Sequence, residues 1–159
     1  MKPTPAVLAR NRSIPDAAVI PVLHYADVPQ AVAWLCRAFD FTERLRIGSH
    51  RVQLLTADGR GALVAADGGP GAVAAAANAQ SLMVRVADVD AHCAQARAAG
   101  AELLSPPTSQ PYGERQYSVR DLGGHAWTFT QSVADVDPAD WGGDWLARPA
   151  PEDDSAHGP

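Results

Sequence analysis

The chain has 159 residues, 47% of them hydrophobic, and a formal net charge of −5 at pH 7. This length suits one compact domain or two half-size modules that share a core, and the hydrophobic fraction argues against overall disorder. Nucleic-acid and membrane partners are disfavoured, because the chain has no basic run and no apolar run near the roughly 20 residues that span a bilayer. The N-terminus lacks the apolar core of a signal peptide, and Cys36 and Cys93 fall inside helical patterns, where we expect reduced, buried side chains. We therefore predict a soluble cytoplasmic protein.

An internal repeat organises the sequence. The tripeptide Ala26-Asp27-Val28 recurs as Ala87-Asp88-Val89, a shift of 61 residues, and each copy ends an apolar run and opens a helical pattern. Further on, residues 58–65 are echoed by residues 121–128 at a shift of 63. Two related segments in the same order indicate an internal duplication.

The first repeat follows an irregular lead, residues 1–16, and is predicted to span residues 17–66. Residues 19–25 form a β-rich run, and Pro21 inside it indicates that regular pairing starts after that residue or that the strand lies at a sheet edge. Asp27 is placed to cap a helix from Val28 to Phe39. Three further strands are predicted at residues 41–47, 52–55 and 61–66.

The second repeat is predicted to span residues 80–131, after a Gly/Ala-rich linker at 67–79. A strand at 81–87 leads to Asp88 as the cap of a helix that Gly100 ends. We expect strands at 101–104, 114–120 and 125–131, with residues 105–113 as a loop because Pro106, Pro107 and Pro111 remove backbone donors. Residues 132–159 form an acidic tail, disordered from residue 149, with Trp141 and Trp145 packed onto the body.

Each repeat therefore reads as a βαβββ module, which cannot bury both faces of its sheet alone. The predicted fold class is α+β: two tandem modules form a curved, eight-stranded mixed sheet with the helices on the outer face and a concave face free for a ligand.

Several motifs add to this frame: the helix segment 34–39 (Trp-Leu-Cys-Arg-Ala-Phe), the loop 112–115 (Tyr-Gly-Glu-Arg), and Asp121, Gly124-His125 and Trp127. Together they resemble the vicinal oxygen chelate superfamily of glyoxalase I, bleomycin-resistance proteins and extradiol dioxygenases, and most closely its bleomycin-resistance branch. The resemblance covers about residues 17–131. It implies a small-molecule ligand in the curved sheet and a homodimer.

In metal-using members of that superfamily, ligands come from the first and fourth strands of each module. The corresponding residues here are Ile20, Ala65, Ser81 and Thr128. None supplies an imidazole or carboxylate donor for a divalent ion, so we predict no metal and no cofactor. The alternative is one divalent ion held by displaced donors such as His24 and Glu114, with Glu102 and His125 as further possible donors.

Strand parity and the Pro-rich loop together give the predicted ligand-binding residues: His24, Met83, Arg85, Tyr112, Arg115 and Thr128. An interior arginine needs an anionic ligand or a structural ion pair, and both readings of Arg85 stay open. His24 lines the cavity or is a hydrogen-bonded core residue. Tyr112 and Arg115 form a lid over the cleft or belong to a plain surface loop, and His92 is expected to be exposed.

The function predicted from these residues is metal-free binding of an aromatic or amphipathic small molecule, as in sequestration or antibiotic resistance, with no catalytic residue assigned. The alternative is a metal-dependent, glyoxalase-like lyase or isomerase, or a dioxygenase, with displaced ligands. A scaffold without any ligand is a third reading.

Overall fold

A computed structural model describes residues 8–69 and 80–146 of the chain. Over these residues it contains two α-helices, eight strands and one short 3₁₀ helix. The first repeat contains β1 (Val22–His24), α1 (Val28–Phe39), β2 (Thr42–Ile47), β3 (Arg51–Leu55) and β4 (Ala62–Ala66). The second contains β5 (Ser81–Arg85), α2 (Val89–Ala98), β6 (Glu102–Ser109), β7 (Glu114–Arg120) and β8 (Ala126–Ser132), and the 3₁₀ helix (Pro138–Trp141) follows.

The repeated tripeptide starts both helices in the same way. Asp27 and Asp88 adopt extended backbone and accept hydrogen bonds from the amides of Gln30 and Ala91, each at 3.0 Å. These bonds satisfy amides that lack a partner inside the helix. Gly100, with φ +88°, ends the second helix as predicted.

The strands form two four-stranded mixed sheets, in the orders β1-β4-β3-β2 and β5-β8-β7-β6. The first and last strands of each repeat pair in parallel, and the other pairs are antiparallel. The α+β class and the two βαβββ modules are thus confirmed. In the described residues no strand pairing joins the two sheets into one continuous ladder. β1 begins directly after Pro21 and lies at a sheet edge, as that proline indicated.

The strand pairing corrects the alignment of the repeats. Val22 pairs with Val64, and Met83, its equivalent at a shift of 61, pairs with Thr128. The last strands therefore correspond at a shift of 64, from residue 64 to residue 128, because Met83 and Thr128 are 45 residues apart whereas Val22 and Val64 are 42 apart. The placement of Ala65 opposite Thr128 was one residue off, and Ala65 lies in the core.

The predicted loop at residues 105–113 was wrong over its first half. β6 continues to Ser109 and includes both Pro106 and Pro107. A proline cannot donate to a ladder, but β6 is an edge strand, and its register with β7 shifts twice between Leu103 and Thr108. Edges and irregular registers are where strands tolerate proline.

Both modules contribute to one hydrophobic core. Phe39, the last residue of α1, contacts Trp127 and Phe129 of β8, with ring centroids 5.4 and 4.8 Å away. The indole nitrogen of Trp34 donates to the carbonyl of Ala99, at the end of α2, over 2.7 Å. The first helix therefore packs against both the helix and the sheet of the second module.

A buried carboxylate also joins the modules. Asp121, in the turn between β7 and β8, accepts hydrogen bonds from the Tyr25 hydroxyl at 2.7 Å and the Trp127 indole at 3.0 Å. Its other oxygen accepts from the amides of Gly123 and His125. Burial, together with the Asp121 charge, raises the pKa of Tyr25, so this phenol remains a donor.

His92 is buried, contrary to the expectation of an exposed helix residue. Its Nε2 donates to the carbonyl of Phe39 at 3.2 Å, because a carbonyl can only accept, and its Nδ1 accepts from the Tyr117 hydroxyl at 2.7 Å. The helical spacing did not reveal this burial because the face that carries His92 packs against the other module.

Residues 8–20 contain no helix or strand, and their first part, which belongs to the lead, lies against the first sheet. The Gln53 amide and the Arg44 guanidinium donate to the carbonyls of Ser13 and Arg12 at 2.8 and 2.9 Å. The linker from residue 70, the tail beyond residue 146 and residues 1–7 lie outside the described residues. Neither helix is long and apolar enough to cross a membrane, for the part of the chain described.

Candidate functional site

The second sheet has one face against the helices and one face turned away from them, which we call the open face. Tyr117, Val119, Trp127 and Phe129 point into the core. The alternate positions of the same strands form the open face, and strand register places them side by side. They include Met83 and Arg85 of β5, Thr128, Thr130 and Ser132 of β8, and Glu114, Gln116 and Ser118 of β7.

A connected set of polar groups forms the floor of this face. The carboxylate of Glu114 accepts from the hydroxyls of Thr130 and Ser132, each at 2.5 Å. The Arg85 guanidinium donates to the Ser132 hydroxyl at 3.2 Å. The Gln116 amide donates to the Thr130 hydroxyl, also at 3.2 Å. Partial burial opposes ionisation of Glu114, but the bonds from Ser132 and Thr130 and the Arg85 charge outweigh it and lower the pKa of this carboxyl. The open face thus presents a carboxylate beside a guanidinium.

An aromatic pair stands at one end of the open face. Tyr112 donates to the side-chain oxygen of Gln116 at 3.0 Å, and its ring centroid lies 5.3 Å from that of Trp141. Gly113 allows this arrangement: its φ is +84°, and a Cβ there would collide with the carbonyl of Ala134. The Tyr-Gly pair therefore lets the segment after β8 fold back beside Tyr112 and bring Trp141 with it.

Two depressions meet at Ser132. One, of about 590 Å³, runs from the β3–β4 turn along β5 and is lined by Met83 and Arg85. The other, of about 490 Å³, is lined by Tyr112, Glu114 and residues 132–136. Both are within the size range of small-molecule sites. We refer to them together as the groove.

The structure brings four of the six predicted ligand residues to this groove or to the open face beside it. Met83 and Thr128 are register partners, Arg85 is two residues further along β5, and Tyr112 lies at the far end. Met83 is 64% exposed, which is unusual for a large apolar side chain at a strand centre and leaves it available for contact.

The other two predicted residues lie elsewhere. His24 is on the first sheet, paired with Ala66, and its buried Nδ1 has no hydrogen-bond partner among the described residues. Arg115 points to the helix side, where its guanidinium pairs with both carboxylate oxygens of Asp90 at 2.9 Å. Because alternate strand residues face opposite sides, Arg115 and Glu114 cannot both line the groove.

Sequence reasoning did not assign Gln116, Ser118 or Ser132 to the site, and it considered Glu114 only as a metal donor. The strand parity that identified Thr128 also applies to Ser132, four residues further along the same strand, and would have found it. Trp141 was expected to pack on the body; it contacts the Tyr112 ring but stays 46% exposed, and this partner could not be predicted from spacing.

The donor set does not fit a divalent metal. At the expected metal-ligand positions of the second module, the open face carries Ser81 on β5 and Thr128 on β8. In the first module, Val64 on β4 occupies the position that the sequence alignment gave to Ala65. The displaced donors His24 and Glu114 lie on different sheets. Among residues 8–69 and 80–146, no three His, Cys, Asp or Glu side chains are grouped so that they could hold a metal ion.

Comparisons with known proteins agree with this architecture. A sequence model of the Glyoxalase/Bleomycin resistance protein/Dioxygenase superfamily matches residues 19–129. The crystal structure of TioX from Micromonospora sp. ML1 is 34% identical and has a TM-score of 0.59, with 76% of this chain and 100% of TioX covered. TnmS3, an antibiotic binding protein from Streptomyces sp. CB03234, is 22% identical with a TM-score of 0.57, over 74% of this chain and 98% of TnmS3.

A third similar structure is a glyoxalase/bleomycin resistance protein/dioxygenase family enzyme from Burkholderia phytofirmans PsJN. It is 20% identical, with a TM-score of 0.58, over 70% of this chain and 94% of its own. No match was found among curated protein sequences. The family match covers well over half of the chain and the same βαβββ pair that the structure contains, so this chain belongs to the glyoxalase/bleomycin-resistance/dioxygenase superfamily.

Proposed function

We propose that this protein binds an aromatic or amphipathic small molecule in the groove, without a metal ion, and serves to sequester it. The observation that carries the proposal is the make-up of the groove. An exposed Met83, the Glu114 carboxylate and the Arg85 guanidinium, both bonded to Ser132, and the Tyr112–Trp141 rings converge on one concave surface. Apolar and aromatic walls with a few placed polar groups are the usual composition of a small-molecule site.

The polar floor supports recognition of a ligand that has both donors and acceptors. Glu114 and Gln116 offer oxygens, whereas Arg85 offers guanidinium N–H groups. The shared fold with TnmS3, an antibiotic binding protein, makes antibiotics a reasonable first class of compounds to try. Resistance through sequestration would follow from tight binding alone and would need no catalytic group.

Metal-free binding is supported by the donor chemistry described above, since serine, threonine and valine side chains are poor ligands for a divalent ion. We further propose a homodimer. β1 and β5 are edge strands of their sheets, and Val22 and Met83 expose apolar surface beside those edges. Sedimentation velocity should give twice the mass of one chain, and a monomer at micromolar concentration would contradict this part of the proposal.

The binding proposal is tested with the double variant Arg85→Ala/Tyr112→Ala. A panel of aromatic amphiphiles that begins with metal-free bleomycin and ethidium is titrated into the wild-type protein by isothermal titration calorimetry. For the compounds that bind, we expect the double variant to lose about tenfold or more in affinity. The melting temperature should change little, because both side chains lie at the surface of the groove.

Arg115→Ala is the matched control. Arg115 is in the same segment but on the helix side of β7, so its loss should leave ligand affinity unchanged. Weaker binding in Arg115→Ala than in the double variant would place the ligand on the wrong face for this proposal. The failure of every compound in the panel to bind saturably would also contradict it.

A further inference from the structure

A third cavity lies outside the groove, between the lead and the first sheet. Its volume is about 400 Å³. Residues 8–17 form one wall, and Arg44, Leu55 and the β3–β4 turn form the other. It adjoins the groove only at residues 60–62, which contact both spaces.

Four arginines line this one cavity: Arg10, Arg12, Arg44 and Arg60. The whole chain, with a net charge of −5, has only 13 Lys and Arg residues, so this is a strong local concentration of positive charge. The one acidic side chain in the lining is Asp16. In the described part of the chain, the ion pairs are Arg46–Glu43 and Arg115–Asp90, and neither includes a cavity residue.

The fold holds one of these guanidinium groups in place. Arg44 donates to the Gln53 side-chain oxygen at 2.5 Å and to the Arg12 carbonyl at 2.9 Å. Gln53, which is only 5% exposed, in turn donates to the Ser13 carbonyl. The same bonds fix the path of the lead, so the wall that carries Arg10 and Arg12 is positioned before any ligand arrives.

We propose that this cavity is a binding site for a small organic polyanion, a molecule with two or three carboxylate or phosphate groups. Guanidinium groups stay charged at all physiological pH values and bind carboxylate and phosphate oxygens through paired N–H donors. Four like charges around one space repel each other, and a polyanion between them removes that repulsion. The volume exceeds that of a single phosphate ion and suits a small organic molecule.

Isothermal titration calorimetry with citrate, inorganic phosphate and acetate tests the proposal, at an ionic strength held constant with sodium chloride. We expect saturable binding of citrate, weaker binding of phosphate and none of acetate. In Arg10→Gln/Arg60→Gln the citrate dissociation constant should rise about tenfold or more. Neither of these side chains donates a hydrogen bond within the described residues, so the fold should be preserved, as circular dichroism would show.

The control is Arg37→Gln/Arg97→Gln, which removes the same charge from exposed positions in the last turns of the two helices. Its citrate affinity should stay within about twofold of the wild type, since surface charges far from a ligand are screened by salt. Equal weakening in both double variants would show a general charge effect and overturn the proposal. The absence of a citrate signal, or a response equal to that of acetate, would overturn it as well.

Discussion

Asp121 is the residue on which the contact between the modules most depends. Its carboxylate accepts four hydrogen bonds, two from side chains of different modules and two from backbone amides. In Asp121→Asn one oxygen becomes an amide that cannot accept, so buried donors lose their partner. We expect a loss of about 2–4 kcal/mol in the free energy of unfolding, measured by urea denaturation.

Asp58 provides the comparison for Asp121. It occupies the β3–β4 turn, is exposed, and accepts from the Thr56 hydroxyl and the Arg60 amide. Asp58→Asn should cost less than about 1 kcal/mol. Similar losses for the two variants would mean that burial of the Asp121 carboxylate has no special role.

His92 predicts how stability depends on pH. Burial lowers the pKa of His92 below its usual value of 6.5, against the smaller opposing effects of the Phe39 carbonyl and Asp40. As the pH falls through 6.5, the unfolded chain gains a proton that the folded chain does not. Stability therefore decreases from about pH 7 downward, until the pH reaches the folded-state pKa.

Thermal denaturation between pH 8 and pH 5 measures this effect. In His92→Gln the titrating group is gone, so its melting temperature should fall less steeply with acidification than that of the wild type. Each protein's melting temperature at pH 8 serves as its own baseline, because the variant is less stable than the wild type at that pH. Parallel curves for the two proteins would rule out His92 as a source of the pH dependence.

The face of the sheet that a side chain occupies was predicted best where strand parity alone decides it. Parity placed Met83, Arg85 and Thr128 together, and β5 and β8 bear this out. Arg115 was assigned to the ligand site as a flank of the Pro-rich loop and not by its parity in the predicted strand 114–120, and β7 fixes that side chain on the helix side. The burial of His92 depends on contacts between distant segments, which no local pattern contains.

At the scale of elements, the repeated N-cap allows a direct test. Asp27→Ala and Asp88→Ala each remove one side-chain acceptor from a helix start, and each should cost about 1 kcal/mol of stability. The sites are in separate helices, so the double variant should show the sum. Chemical denaturation measures all three.

Asparagine caps helices about as well as aspartate, so Asp27→Asn and Asp88→Asn are the controls and should be close to the wild type. Large losses in these controls would show that the carboxylate charges, and not the caps, stabilise the helices.

The elements themselves could be predicted almost completely because their signals are local. The caps, Gly100 and the polar turns set the bounds of both helices and most strands to within a few residues. β6 is the exception. Two consecutive prolines normally end a strand, and only its position at a sheet edge, a property of the whole sheet, permits them.

For the whole molecule, the duplication predicted the architecture but not the way in which the two halves differ. The core is common to both modules, with Phe39 of the first against Trp127 and Phe129 of the second. Single-module patterns contain no information on this packing, since each helix has apolar residues that could equally face its own sheet. The module pairing follows from the need to cover those surfaces.

The position of the lead has a consequence for the number of ligands. A duplicated fold offers two equivalent sheet faces, and a symmetric protein would bind one molecule on each. Here the lead is bonded to Gln53 and Arg44 on the first sheet, while the matching face of the second sheet keeps Met83 and Arg85 exposed. For a ligand of the open face, we therefore expect a stoichiometry of one molecule per chain, although the gene encodes the frame of the site twice.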